Sequence, residues 1–433
     1  MSRRALYVTI ASAAVLIFVS ALAFGDRLED TLYIPLDHPA IRYNQEPSDP
    51  VARLEKRLEN GQVKLDYAPN GWGYLPALLK QLDVNVDSQV LVFSKTSIQT
   101  AHINPRTPRA LYFNDNVAVG YVQGGDLLEI AALDPKLGAV LYSLDQDETA
   151  KPELSRRDDC LRCHQGPVTL AVPGLLVSSV HPRSHEGSEP HGSAFMTDQS
   201  TAFKERWGGW YVTGTHGPQL HLGNNVALVD PIHPGGPGSP DTQNVTSLKE
   251  LFDTSRYLAP TSDIVALLTL EHQTRMTNLL TRIGWDVRIA EADHKNDEAT
   301  RKQLDAEIEE MVGYMLFTNE EPLTAPVTGV SSFTRTFAAR GPKDQQGRSL
   351  RDFDLKTRIF RYPLSYMIYS AAFDSLPKYA SDRVYRRLFE VLSGKDQTEA
   401  YGRLSTEDRK DILEIVRATK PNLPDYWKVS SSN

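Results

Sequence analysis

The residues with the most specific chemistry are Cys160, Cys163 and His164, in the string Cys160-Leu161-Arg162-Cys163-His164. They include the only two cysteines of the 433-residue chain. Two thiols spaced by two residues can form thioether bonds to both vinyl groups of one haem. The adjacent histidine then reaches the iron from the same face. Without the haem, the same pair reads as a redox-active or structural disulfide. A thiol oxidoreductase would carry it at the start of a helix behind a buried strand. Here it follows Arg156-Arg157-Asp158-Asp159, a charged turn that fits that chemistry less well and implies an edge near solvent.

His164 as one axial ligand leaves the opposite face of the iron open to choice. A second strong ligand makes an electron carrier, and an open face makes an enzyme or a gas sensor. The distal candidates are His216, His221, His272 and Met196. His216 and His221 flank a Gly-Pro turn. His272 shares a predicted helix face with Met276, where a core or capping histidine is the plainer reading. Seven of the eleven histidines fall within residues 164–233, although His181, His185 and His191 sit in a Ser/Gly/Pro-rich loop and read as solvated. Trp207, Trp210 and Tyr211 offer flat surfaces that could wall a porphyrin. Gly208, Gly209, Gly214 and Gly217 beside them allow close backbone approach, as they also would in ordinary β turns. A peroxidase-like site would need a base and a cation, for which His221 or His272 with Arg206 or Arg275 are the pairs at hand. No phosphate-binding Gly-rich loop, H-E-x-x-H pattern or G-x-S-x-G elbow is present, and no catalytic side chain is assigned.

The elements that must position these residues change character along the chain. Residues 1–25 read as a signal peptide or N-terminal membrane anchor. Arg3 and Arg4 precede an uncharged apolar run from Ala5 to Phe24, with Ala21-Leu22-Ala23 as a small-x-small cleavage pattern. Either reading exports the remainder, to the periplasm or the outer face of the cytoplasmic membrane, and limits membrane attachment to residues 5–24. A strand-rich haem-binding part is expected over 26–235. Asp49-Pro50 opens a short helix there, and Leu75–Leu82 forms another. Val90–Phe93 is a buried strand. Ala110–Phe113 with Val117–Val122, and Leu127–Ala132 with Ala139–Leu144, form two hairpins. Gly174–Val180 is a further strand. A Pro/Gly linker at 234–245 leads to a mainly helical part over 246–433. Its helices over 246–320 are expected to pack near the haem, and 351–433 to hold the C-terminal helices. Asp263 caps a helix from Ile264 to Arg282, and Asn296–Phe317 forms a second. Residues 319–350 read as loop. A helical segment opens at Arg348 and contains Tyr362–Tyr369, and Ser405 starts a capping box for the last helix, ending at Ala418. The fold class is therefore α+β.

The charge balance excludes some partners. The formal net charge is −8, from 47 basic and 55 acidic residues. Removing Arg3 and Arg4 with the leader leaves 45 against 55. That argues against nucleic-acid binding, which needs a basic stripe.

The strings CLRCH, RWGGWYVTGTHG, HLGN, LEHQ and RSLRDFDLKTRIFRYPLSYMIYS together resemble a group of exported bacterial proteins described as cytochrome c domain-containing, whose activity is not established. The resemblance runs from about Asp37 to Trp427. It implies one covalent haem c on Cys160 and Cys163, with His164 as iron ligand. The expectation is an exported monohaem cytochrome that passes single electrons to an unknown redox partner protein. The alternatives are a haem enzyme acting on a small oxidant such as peroxide, or the haem subunit of a larger redox complex.

Overall fold

The computed structural model describes residues 35–149, 151–180, 194–226 and 242–428. The expected leader and anchor, residues 1–25, and most of the expected linker lie outside them. Two short helices come first, α1 (Pro50–Glu59) and α2 (Leu75–Gln81). The Asp49 carboxylate caps α1 by accepting from Val51 and Ala52 N–H, and Pro50 occupies the first helical position, where it costs no hydrogen bond.

The strands β1 (Val90–Val92), β2 (Arg109–Phe113), β3 (Val117–Tyr121), β4 (Leu127–Asp134), β5 (Gly138–Asp145) and β6 (Leu154–Arg156) form an antiparallel meander. Asp134 shapes the β4–β5 turn, its Oδ1 accepting from Lys136 and Leu137 N–H. The very short helix α3 (Leu161–His164) follows, then the two-stranded pair β7 (Ser178–Val180) and β8 (Ala194–Met196). The strand β9 (Trp210–Tyr211) joins β1, so the seven-stranded sheet runs β6-β5-β4-β3-β2-β1-β9. The strand β10 (Gly214–Thr215) pairs later in the chain.

Alternation gives the sheet two distinct faces. Leu91, Tyr112, Val119, Ile130, Tyr142 and Tyr211 point to one side and pack with Tyr43, Leu54 and Leu78 from the N-terminal helices. Val90, Val92, Phe113 and Trp210 point to the other side and meet the helical part. On that second face the row Leu111–Gly120–Glu129–Ser143–Ser155 crosses four strand pairs. It turns polar toward β6.

The helical part is built on α4 (Ile264–Ala292), 29 residues long, of which 22 are buried. A helix buried on nearly all sides is an interior helix, and here it lies against the sheet on one side. On the other it meets α5 (Glu298–Met315), α6 (Phe333–Ala339), α7 (Ala371–Asp374) and α8 (Lys378–Leu392), with α9 (Thr406–Thr419) behind α8. The strand β11 (Thr328–Gly329), between α5 and α6, completes the pair with β10. A single apolar cluster runs from Val90 and Trp210 through α4 to Trp427. The fold class is α+β, as expected. Among the described residues no helix is long and apolar enough to cross a membrane.

Three local expectations are corrected. Arg348–Tyr369 is not a helix: apart from a 3-10 turn at Tyr366–Tyr369 it is a chain of turns. The Asp354 carboxylate gathers the N–H groups of Lys356, Thr357 and Arg358, and Leu355 takes φ 55°. That local side-chain pairing outcompetes helix formation, and Pro363 forbids its continuation. Only Ser178–Val180 of the expected 174–180 strand is paired. The loop 319–350 contains α6, which buries Phe333 and Phe337.

Asp263 is the critical cap. It is fully buried, and its carboxylate accepts from Val265 N–H at 2.8 Å and from Val330 and Ser331 N–H at 2.9 and 2.7 Å. Asp263→Ala is expected to strand three donors and destabilise the fold by about 2–4 kcal/mol. Asp263→Asn, which keeps one acceptor, should cost less. Urea unfolding of both variants measures the difference.

Candidate functional site

The α3 motif stands where β6 leaves the sheet. A 3-10 turn at Asp158–Cys160 feeds directly into α3, so Cys160, Cys163 and His164 share one and a half helical turns. Leu161 anchors the turn in the core at 7% exposure. Cys160 is half-buried and Cys163 is exposed. Burial, with the Asp159 charge beside it, pushes the Cys160 thiol above its ordinary value. Reactive thiolates need the opposite shift, so this thiol is poorly suited to disulfide exchange.

His164 is held by a two-point clasp. Gly174 N–H donates to the His164 carbonyl at 2.8 Å, and the Gly174 carbonyl lies 2.9 Å from His164 Nδ1. A carbonyl can only accept, so Nδ1 carries the proton and the neutral ring keeps its lone pair on Nε2. Burial holds the imidazole below its ordinary pKa. The Gly174 bond and Glu129 act in the opposite sense, while Arg109 adds to the lowering. The ring is thus neutral at physiological pH, with one nitrogen fixed and the other free.

Arg109 and Glu129, on the polar part of the sheet face, are the charged neighbours of this ring. They pair at 2.9 Å from β2 to β4, across β3. Gly120 is the β3 neighbour of Glu129 and carries no side chain beside it. Ser97 and Gln99 also bond Glu129. Gly174, Arg109 and Glu129 are site residues that the motif search did not find. Pro173-Gly174 could have signalled a close approach; the two charges gave no sequence signal.

The loop between α3 and Gly174 is strained. Leu170 and Ala171 both have φ 60°, a left-handed conformation that non-glycine residues adopt at a cost of about 1–3 kcal/mol each. Thr169, fully buried, bonds the Val172 and Gly166 carbonyls within it.

The distal candidates are carried by other elements of the fold. His272 is fully buried with both nitrogens engaged, Nδ1 with Gln199 Oε1 at 2.6 Å and Nε2 with Ser365 Oγ at 2.8 Å. It has no lone pair to spare and reads as a core histidine. His216 Nε2 accepts from Asn244 N–H at 3.0 Å, which places the proton on its buried Nδ1. His216 and His221 form a buried pair with ring centroids 4.7 Å apart, packed against Phe203 and Trp207. Met196 is half-buried on β8, opposite Ser178. Trp210 and Tyr211 form β9, at the sheet edge opposite β6. The Trp210 indole donates to the Ser178 carbonyl, and the Tyr211 ring packs on Phe93 and Phe252. The structure therefore gathers Trp207, His216 and His221 with each other. Arg206 is paired with Glu271 at 2.8 Å in the interior, and Arg275 with Glu310 at 3.2 Å. Burial outweighs Arg206 and raises Glu271 to about 7. His181, His185 and His191 lie outside the described residues.

Comparison of the chain with protein-family models, with curated proteins and with solved structures returns no match.

The buried histidine pair makes a pH-dependent prediction. Burial, helped by the neighbouring His216, lowers the pKa of His221 from 6.5 to about 3. Between those values the unfolded chain binds a proton that the folded chain does not. His221 therefore removes stability as pH falls through 6.5, by up to ~1.4 kcal/mol per pH unit. The unfolding free energy of His221→Phe, minus that of the wild type, should rise by about 2 kcal/mol between pH 7 and pH 5. A difference independent of pH would mean that His221 titrates normally in the folded state.

Proposed function

We propose that this chain is an exported c-type cytochrome that carries one haem c and transfers single electrons between protein partners. The observation that carries the reading is the CLRCH turn with its pre-set imidazole. The only two thiols are presented at or near the surface, and His164 is locked in the tautomer that offers Nε2 to a metal. Metal-ligating histidines characteristically donate their other ring N–H to a backbone carbonyl or carboxylate, and the Gly174 carbonyl takes that part.

In this reading Cys160 and Cys163 each add S–H across one vinyl group, forming two thioethers with no external oxidant. His164 supplies one axial ligand. The haem contributes a one-electron couple. The protein contributes attachment and a fixed ligand orientation for the half-buried imidazole. Arg109 and Glu129 lie close enough to act electrostatically on the ligand and so on the potential, by way of charge and second-shell bonding. The elevated Cys160 pKa supports haem attachment over a thiol–disulfide role, because thiol exchange depends on the thiolate. The pairing of Arg206 and Arg275 with carboxylates leaves neither as a free cation for peroxide cleavage. The apolar run at 5–24 supports action in the periplasm or on the outer face of the cytoplasmic membrane.

The test is direct. The full chain, exported in a host that attaches haem c, should give a haem-stained band after denaturing electrophoresis and a reducible spectrum with one haem per chain. Cys160→Ser/Cys163→Ser should abolish the band. A wild-type chain without covalent haem would overturn the proposal.

A further inference from the structure

The clasp on His164 does not stand alone. Asn278, on α4 and 2% exposed, reaches the loop that holds the imidazole. Its Oδ1 accepts from Leu175 N–H at 3.0 Å, and its Nδ2 donates to the Leu175 carbonyl at 2.8 Å. Both halves of the amide are used on one residue of the loop. Gly174 is packed against the same side chain: a Cβ there would lie 2.3 Å from Asn278 Oδ1. One turn further along the helix, Arg282 Nη1 donates to the Leu170 carbonyl at 3.1 Å, while its guanidinium pairs with Asp286. Leu170 is one of the two left-handed residues. Residues four apart on a helix share one face, so a single stripe of α4 grips the strained loop at both ends.

From this geometry we propose that Asn278 and Arg282 are positioning residues for His164. They fix the loop 170–175 so that the Gly174 carbonyl stays on Nδ1–H and Nε2 remains the free nitrogen. Neither residue touches the metal-binding nitrogen, and each acts through the loop. The chain of contacts runs from helix to Asn278, to Gly174-Leu175, to the imidazole. The interior helix thereby sets which nitrogen the histidine offers. The functional value of the arrangement rests on His164 being the iron ligand, but the tautomer itself does not require haem.

The experiment uses the full chain carrying Cys160→Ser/Cys163→Ser, in which the ring can be read by long-range 15N–1H correlation in the absence of haem. In this background His164 is expected as the Nδ1–H tautomer. Asn278→Leu, similar in size and unable to hydrogen-bond, should lower its ratio of Nδ1–H to Nε2–H about five- to tenfold, the equivalent of about one net hydrogen bond. His272, whose nitrogens are held by Gln199 and Ser365, serves as the internal control and should not change. Asn278→Asp keeps the acceptor for Leu175 N–H and loses the donor. It should give an intermediate ratio, and it decides the matter if Asn278→Leu does not fold. A folded Asn278→Leu or Asn278→Asp chain with an unchanged His164 ratio overturns the proposal, as do equal changes at His164 and His272 in the milder variant. Failure of the haem stain in the wild type would remove the ligand reading and leave this measurement standing.

Discussion

A buried helix that carries polar side chains needs partners for them, and α4 finds most of them by reaching outward. Unpaired buried polar groups cost about 1–3 kcal/mol each. Thr269, Thr277 and Thr281 bond carbonyls one turn back in α4 itself, while the longer polar side chains are joined to segments far away in sequence. Asp263 holds the backbone at Val330 and Ser331. Glu271 takes Arg206, and His272 links Gln199 to Ser365. Gln273 bonds the Asn114 carbonyl and the Tyr366 hydroxyl. Asn278 and Arg282 take the loop after CLRCH. Trp285 donates to the Lys136 carbonyl and Arg288 to that of Ser375. The helix is therefore an internal frame to which the sheet, the motif loop and the C-terminal turns are all fastened.

That arrangement explains how a surface-facing motif becomes a fixed one. The CLRCH turn has only Leu161 in the core, and a four-residue helix has no cooperative stability of its own. Its rigidity is borrowed from the sheet through β6 and from α4 through the Gly174 loop. The Arg109–Glu129 pair on the sheet face belongs to the same site because both charges act on the His164 ring. The neutral character of the half-buried His164 follows from this enclosure, since desolvation is the largest effect on its pKa.

Much of this could be read from the residues in order. The two hairpins, the caps at Asp49 and Asp263 and the capping box at Ser405 rest on local chemistry, and each forms where period and cap residues placed it. The CLRCH string exposed the candidate ligand for the same reason. The partners of that ligand could not be read. Gly174 is ten residues away and Asn278 is 114 positions beyond His164, joined only by tertiary packing. A buried asparagine in an apolar helix was the one available signal, and it does not say what the amide holds. The packing of the aromatic and histidine string from Arg206 to His221 was hidden for a related reason. Trp207, His216 and His221 are complementary to each other, and clustering in sequence does not reveal where the cluster packs. At Arg348–Tyr369 the periodic apolar residues were real, but Asp354 captured the backbone first.

The size of the chain has a physical reading in the support of one loop. Holding His164 in one tautomer requires Gly174 at a fixed place, and that loop contains Leu170 and Ala171 in left-handed conformations. Strain of a few kcal/mol in a short surface loop persists only if rigid surroundings over-determine it. Hydrogen bonds from a mobile element would not suffice, because ordering that element would cost as much as the bonds contribute. The donor must already be fixed, and the surest way to fix a helix is to bury it on nearly all sides. Burying a 29-residue helix requires a layer against each side of it. The sheet supplies one, and α5 through α9, with the turns between them, supply the rest. On this argument the helical half keeps α4 in place by enclosing it, and α4 in turn holds the loop that orients the imidazole.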